Sequence, residues 1–169
     1  MKSECQLEEI FQDMQKKLSH EGLLLTSRTT DDRINVMTIG WGLVGRLWRE
    51  PVYMVAVRPS RYTYNFIEAT GEFSVNIPAE GMEDTSAYCG QVSGRDYDKF
   101  GECGLTVMPG KHVKVPMIRE CIAHIECQVI GTSTVRPERI SASVQDSCYS
   151  AGDYHTLYYG RILTVLKDN

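Results

Sequence analysis

The sequence predicts a mainly-β fold, a Greek-key barrel with helical additions, and three features of its pattern predict it. Past Gly22 the chain breaks into short stretches rich in Val, Ile, Thr and Tyr; Gly, Pro, Asp and Asn bound them; and helical spacing interrupts them in two places. Residues 3–18 come first and read as an amphipathic helix, with Leu7, Ile10, Phe11, Met14 and Leu18 at helical spacing and Ser3 with Gln6 as a capping box. This helix is expected to pack on the barrel or on a partner. Strands are then expected at Leu23–Ser27, Asn35–Ile39, Val52–Val57, Glu72–Ile77, Ile122–Gly131 and His155–Leu166. The helical interruptions are Ser60–Thr70, ended by Gly71, and a shorter piece at Met82–Gly90. With no repeat, low-complexity tract or linker, residues 1–169 are expected to form a single domain.

Composition limits the function classes. Hydrophobic residues make up 42% and charged residues 24%, as in an ordinary globular chain. No run approaches the ~18 apolar residues of a membrane span. The start of the chain carries acids and no apolar stretch, unlike a signal peptide, so a cytoplasmic protein without membrane attachment is expected. A formal net charge of -4 argues against nucleic acid or anionic lipid as partner, so any anionic ligand needs a local site. The six cysteines, at 5, 89, 103, 121, 127 and 148, include no Cys-x-x-Cys pair. They read as reduced, mostly structural thiols, and no metal site is expected.

Gly40-Trp41-Gly42-Leu43-Val44-Gly45 matches the Gly-x-Gly-x-x-Gly string of dinucleotide sites. That motif must open a helix inside a βαβ unit. Here Pro51 and the next predicted strand arrive too soon, so these glycines are expected to serve a tight turn or close backbone approach to a flat ligand.

Other segments carry chemistry. Arg58-Pro59-Ser60-Arg61-Tyr62-Thr63 falls where a strand ends and a helix begins. With Ser60 as N-cap, free backbone N–H groups, two hydroxyls and two guanidinium groups suit a phosphate. A capped helix with two solvated arginines explains the segment equally well when it is taken alone. Alternation places Asn35, Met37, Ile39 and Trp41 on one strand side and Thr38 on the other, so an amide, a hydroxyl and an indole gather where an aromatic ring system could bind. Ser93-Gly94-Arg95 and Lys99 offer further donors from a polar loop, and His155, Leu157 and Tyr159 share one face of the last strand. A solvated loop and a structural histidine are the plainer readings of these two.

Five ordered blocks, NVMTIGWG at 35–42, RPSRYTYNFIE at 58–68, GEFSVNIP at 71–78, CGQVSGRDYDKF at 89–100 and HTLYYG at 155–160, resemble flavin reductase-like, FMN-binding split-barrel proteins, most of all the flavoredoxin branch. The resemblance runs from about Gly22 to Val165. It implies a six-stranded Greek-key split barrel, a homodimer, and FMN beside the subunit interface. Asn35, Met37, Thr38 and the backbone near Gly40 would line the isoalloxazine, with Trp41 against it. Ser60, Arg61 and Thr63 would hold the phosphate, and Arg58 would support that loop. Ser93, Gly94, Arg95 and Lys99 would reach the ribityl-phosphate end, with Lys99 supplying charge. His155 would lie where a nicotinamide docks, which makes His155 and Trp41 the candidate catalytic residues. Leu43–Glu50, Tyr158 and Tyr159 depart from the family's pattern.

The resemblance implies that FMN takes a hydride at N5 from NADH or NADPH, the protein positioning both and excluding water. The rival reading is an electron carrier whose permanently bound FMN is reduced by a redox protein partner. A non-catalytic binder of another planar ligand is a third.

Overall fold

The computed structural model describes residues 2–168, and all six predicted strand segments form strands. In chain order the elements are β1 (Lys2–Glu4), α1 (Phe11–Ser19), β2 (Leu23–Arg28), β3 (Ile34–Ile39), β4 (Gly42–Leu47), β5 (Glu50–Val57), α2 (Tyr62–Thr70), β6 (Glu72–Ile77), α3 (Glu83–Gln91), α4 (Lys99–Glu102), β7 (Val107–Met108), β8 (Met117–Ile118), β9 (Ala123–Thr134), α5 (Ala142–Cys148) and β10 (Thr156–Asp168).

The main sheet has eight strands where six were expected; β1 and β4 are the additions. Its order is β3-β2-β6-β9-β10-β5-β4, with β1 paired to the far end of β10, and β7 and β8 form a separate ribbon. Every pairing is antiparallel. The ladder is an open path rather than a closed ring. Its two ends approach where Gly40 and Trp41 lead from β3 into β4, and there the Ala56 N–H donates to the Trp41 carbonyl at 3.4 Å. Register shifts between β9 and β10 at Tyr159/Gly160 and Ile162/Thr164 mark bulges that increase local twist.

β4 exists because the chain reverses in two residues. Leu47 pairs with Glu50, and Trp48 and Arg49 between them both have positive φ, 52° and 68°. That is the tight hairpin turn usually made by Asn-Gly. Here the Trp48 indole holds it, lying over Gly131 and edge-on to Tyr159 at 5.6 Å. The Gly-x-Gly-x-x-Gly string therefore runs from a turn into a strand and opens no helix.

The N-terminal helix is shorter than expected. Ser3 lies in β1, paired with Lys167, and the capping contact falls three residues later, where Glu9 Oε1 accepts the Gln6 N–H at 2.9 Å. Most of the apolar stripe packs on the barrel: Ile10 and Met14 enter the core beside Leu23, Leu25, Tyr53, Phe73 and Val75, Leu7 and Leu18 pack against it, and Phe11 stays exposed. Burying Ile10 or Met14 contributes roughly 1.5–3 kcal/mol. Gly71 ends α2 in a left-handed conformation, φ 66°, with its N–H on the Ile67 carbonyl.

The outer face of β2, β6 and β9 is buried as well, and it is polar. Glu126 accepts the backbone N–H groups of Lys111 and His112, Thr26 donates to the Pro116 carbonyl, and Asn76 Oδ1 accepts from Ile118 N and faces His124 Nδ1 at 2.8 Å. These side chains pin residues 109–118 across the sheet. A segment with little regular structure is thereby ordered through its main chain.

Candidate functional site

Two clefts adjoin along β3. The first, about 100 Å³, is lined by Asn35, Met37, Ser60, Arg61, Thr63, Cys89, Ser93, Gly94, Arg95 and Lys99 among others. The second, about 190 Å³, is lined by Met37, Thr38, Ile39, Gly40, Trp41, Ala56, Arg58, Arg61 and His155. Met37 and Arg61 line both. Thus every sequence-predicted site residue lies on one cleft or the other.

The first cleft is built on α2. Its N-cap is Arg61, one residue later than expected, and no side chain caps it. The first-turn amides of Tyr62 and Thr63 consequently have no intrahelical acceptor. Ser60 does not cap the helix; its hydroxyl donates to Asp153 Oδ2 at 2.5 Å and its N–H reaches Oδ1 at 3.4 Å. Arg95 donates to the Ser60 carbonyl at 3.2 Å and lies over the Tyr62 ring at 5.0 Å. The exposed Arg61 guanidinium has no hydrogen-bond or ion-pair partner among the described residues. It acts as a like charge on both Lys99 and His155.

Lys99 is buried, and its ammonium donates to the carbonyls of Val36 at 3.0 Å and Cys89 at 2.7 Å. Burial lowers its pKa. It therefore holds α3 and α4 on β3 while keeping one N–H beyond these two bonds.

Asn35 lies at the first cleft rather than with the backbone of Gly40. Its Nδ2 donates to Thr63 Oγ1 at 2.7 Å, both residues being buried. Gly94 presses on it so closely that a Cβ there would stand 2.0 Å from Asn35 Oδ1. Only glycine lets this loop close. The Thr38 hydroxyl donates to the Ser86 carbonyl on α3, which places it on the opposite side of β3 from Asn35, as alternation predicts.

In the second cleft the strand ends at Ile39, so Trp41 is not on its face. The indole is 43% exposed and lies tilted over His155, ring centroids 4.6 Å apart. His155 precedes β10 and is buried, with Nδ1 2.8 Å from the Tyr149 hydroxyl. Burial first, and the positive charge of Arg58 second, push its pKa down to about 4. The imidazole is neutral at pH 7. Arg58 donates to the carbonyls of Cys148, Gly152 and Asp153 at 2.8, 3.2 and 2.9 Å, so it fixes the turn after α5. Through that turn it orients Tyr149 and Asp153.

Residues 16–169 match the family described as Flavin reductase like domain. The chain belongs to this flavin reductase-like family. An uncharacterized protein of Archaeoglobus fulgidus is 34% identical over 134 residues, which are 79% of this chain and 66%, just under two thirds, of that protein. Among solved structures, the flavoredoxin of Desulfovibrio vulgaris superimposes with a TM-score of 0.70 at 28% identity, over 87% of this chain and 69% of that one. Flavoredoxin from Methanosarcina acetivorans gives 0.69 at 29% identity, over 88% and 69%.

Within the flavin reductase-like fold, sequence reasoning missed Tyr149 and Asp153. Both arrive from α5 and its turn, a region whose short polar helix carries no apolar stripe. The one available signal was Gly152-Asp153, a turn dipeptide with φ of 75° and 57°. Among the described residues no group of three or more His, Cys, Asp or Glu is placed to hold a metal, and no helix is long and apolar enough to cross a membrane.

Proposed function

We propose that the chain binds FMN across the two clefts and uses it as an oxidoreductase fed by NADH or NADPH. The observation that carries this reading is the pair of uncompensated cations, Arg61 and Lys99, at a helix start whose first amides are free. Such a set calls for a phosphate. Beside it, the backbone of Thr38–Gly40 and the exposed Trp41 indole offer amides and an apolar face to a planar ring. These residues fit the group: Ser60, Arg61, Thr63, Arg95 and Lys99 would take its phosphate, and Met37, Gly40 and Trp41 its ring.

When bound, FMN would supply the electron-accepting chemistry that no side chain here provides. The chain's own share is to hold the ring against β3, keep water from one face, and present neutral His155 beside the second cleft. A neutral imidazole accepts or donates a hydrogen bond without placing a charge next to the nicotinamide. The likeness to two flavoredoxin structures favours a second reading, a carrier reduced by a protein partner. Leu43, Leu47 and Trp48, exposed on and beside edge strand β4, support a homodimer built on that edge, which sizing chromatography tests.

The experiment is to purify the protein without added flavin, record its visible absorbance, and add NADH or NADPH anaerobically. A yellow protein bleached by either nucleotide is the expected result. Bleaching by dithionite alone selects the carrier. Colourless protein that also fails to bind added FMN overturns both readings.

A further inference from the structure

Cys89 and Cys121 are buried in a small apolar cluster behind the first cleft, and Cys103 packs against it, partly exposed. Cys89 stands in the last turn of α3, and Cys103 is the C-cap of α4. Between them runs the loop that carries Ser93, Gly94 and Arg95. Lys99 ties the two cysteines together: its ammonium donates to the Cys89 carbonyl at 2.7 Å, and its own carbonyl accepts the Cys103 N–H at 3.2 Å. The two thiols lie close enough to interact directly, and the buried ammonium sits near both sulfurs.

We propose that Cys89 and Cys103 are a redox modification site, a dithiol that a hydroperoxide closes to a disulfide, stiffening the loop that lines the first cleft. The two thiols divide the work by exposure. Cys103, which solvent reaches, loses its proton and attacks a peroxide oxygen; the O–O bond breaks, an alcohol leaves (water, for hydrogen peroxide), and Cys103 becomes a sulfenic acid. The Cys89 sulfur then attacks the Cys103 sulfur, the S–O bond breaks, and the departing hydroxide takes the Cys89 proton as water. Two thiols lose two electrons and one hydroperoxide gains them. Burial pushes the Cys89 thiol up to about 12, so it does not compete for the peroxide and gives up its proton only as it attacks the Cys103 sulfur. The positive Lys99 favours the Cys89 thiolate as it forms.

The disulfide closes a ring over residues 89–103, so the loop within it loses freedom. The proposal concerns the chain's own thiols and does not depend on the flavin reading. Hydrogen peroxide is the probe. Intact mass under non-reducing conditions is expected to fall by two hydrogen atoms, with a Cys89–Cys103 cross-linked peptide. Cys103→Ser, at a partly exposed position, abolishes the loss, and Cys121→Ser keeps it. Trypsin cleavage after exposed Arg95 is expected to slow at least fivefold in the oxidised protein and to recover on reduction. Oxygen added at Cys5 or Cys148 with Cys89 and Cys103 still free, or a cross-link that survives Cys103→Ser, overturns the site. A cross-link that leaves cleavage at Arg95 unchanged overturns the stiffening.

Discussion

The Asp153 carboxylate takes both the hydroxyl and the backbone N–H of Ser60, at 2.5 and 3.4 Å. Two donors of the proposed phosphate site thus already face an acid, one presented by a turn that Arg58 grips through three carbonyls. A dianionic phosphate must share those donors with a like charge. Asp153→Asn removes the charge and tolerates the left-handed backbone that Asp153 adopts, φ 57°. FMN affinity is expected to rise about fivefold, a little under 1 kcal/mol, while riboflavin affinity stays the same. Flavin fluorescence titrations at low salt measure both. An equal gain for the two flavins, or none for either, removes Asp153 from the anion site.

Lys99→Met separates the structural work of this residue from its charge. The variant leaves the buried carbonyls of Val36 and Cys89 without their donor. Each such loss costs roughly 1–3 kcal/mol, so a destabilisation of about 3 kcal/mol is expected, roughly 6–12 °C in Tm for a chain of this size. A thermal melt within a degree of the wild type would mean that Lys99 serves the ligand alone.

The sheet was legible because its six principal strands are short stretches rich in Val, Ile, Thr and Tyr bounded by turn residues; Glu72–Ile77 falls on its predicted limits. β4 was hidden because Trp48-Arg49 is not a usual tight-turn pair, and the Trp48 ring that holds it packs on Gly131 and Tyr159, far along the chain. The site was legible as a set of residues but not as an arrangement. Pattern alone put Asn35 and Trp41 together on a strand face, whereas the end of β3 at Ile39 turns Trp41 toward His155 and leaves Asn35 with Thr63. The contribution of Asp153 depends on a turn whose placement comes from Arg58, a contact across 95 positions that no local signal reports.

Trp41 covers His155 from a partly exposed position, so its removal is expected to spare the fold and change the site. In Trp41→Ala, water reaches the imidazole, and the His155 pKa rises from about 4 toward the ordinary 6.5. Proton NMR follows that titration. Loss of one aromatic face lowers FMN affinity up to about tenfold, by the ~0.5–1.5 kcal/mol of such contacts. Unchanged values for both readouts would remove Trp41 from the site.

Acid is expected to destabilise the protein well above the range where carboxylates titrate, and two buried histidines, His124 and His155, are the reason. The Nδ1 of His124 faces Asn76 Oδ1 at 2.8 Å and therefore carries the proton, while Nε2 is buried with no partner. Protonating Nε2 would create a buried N–H without an acceptor, and burial holds the folded pKa down to about 3 against 6.5 when unfolded. Between those values the unfolded chain binds more protons, so stability is complete above pH 6.5 and falls as pH drops. At about 1.4 kcal/mol per unit, going from pH 6.5 to pH 5 costs roughly 2 kcal/mol from His124. His155 acts in the same direction down to about pH 4. His124→Leu leaves Asn76 Oδ1 its bond from Ile118 N, and it is expected to remove about half of this acid sensitivity, the share of His155 remaining. Denaturant midpoints at pH 7 and pH 5 decide the matter: a variant that keeps the full wild-type difference would assign the acid loss to groups other than His124.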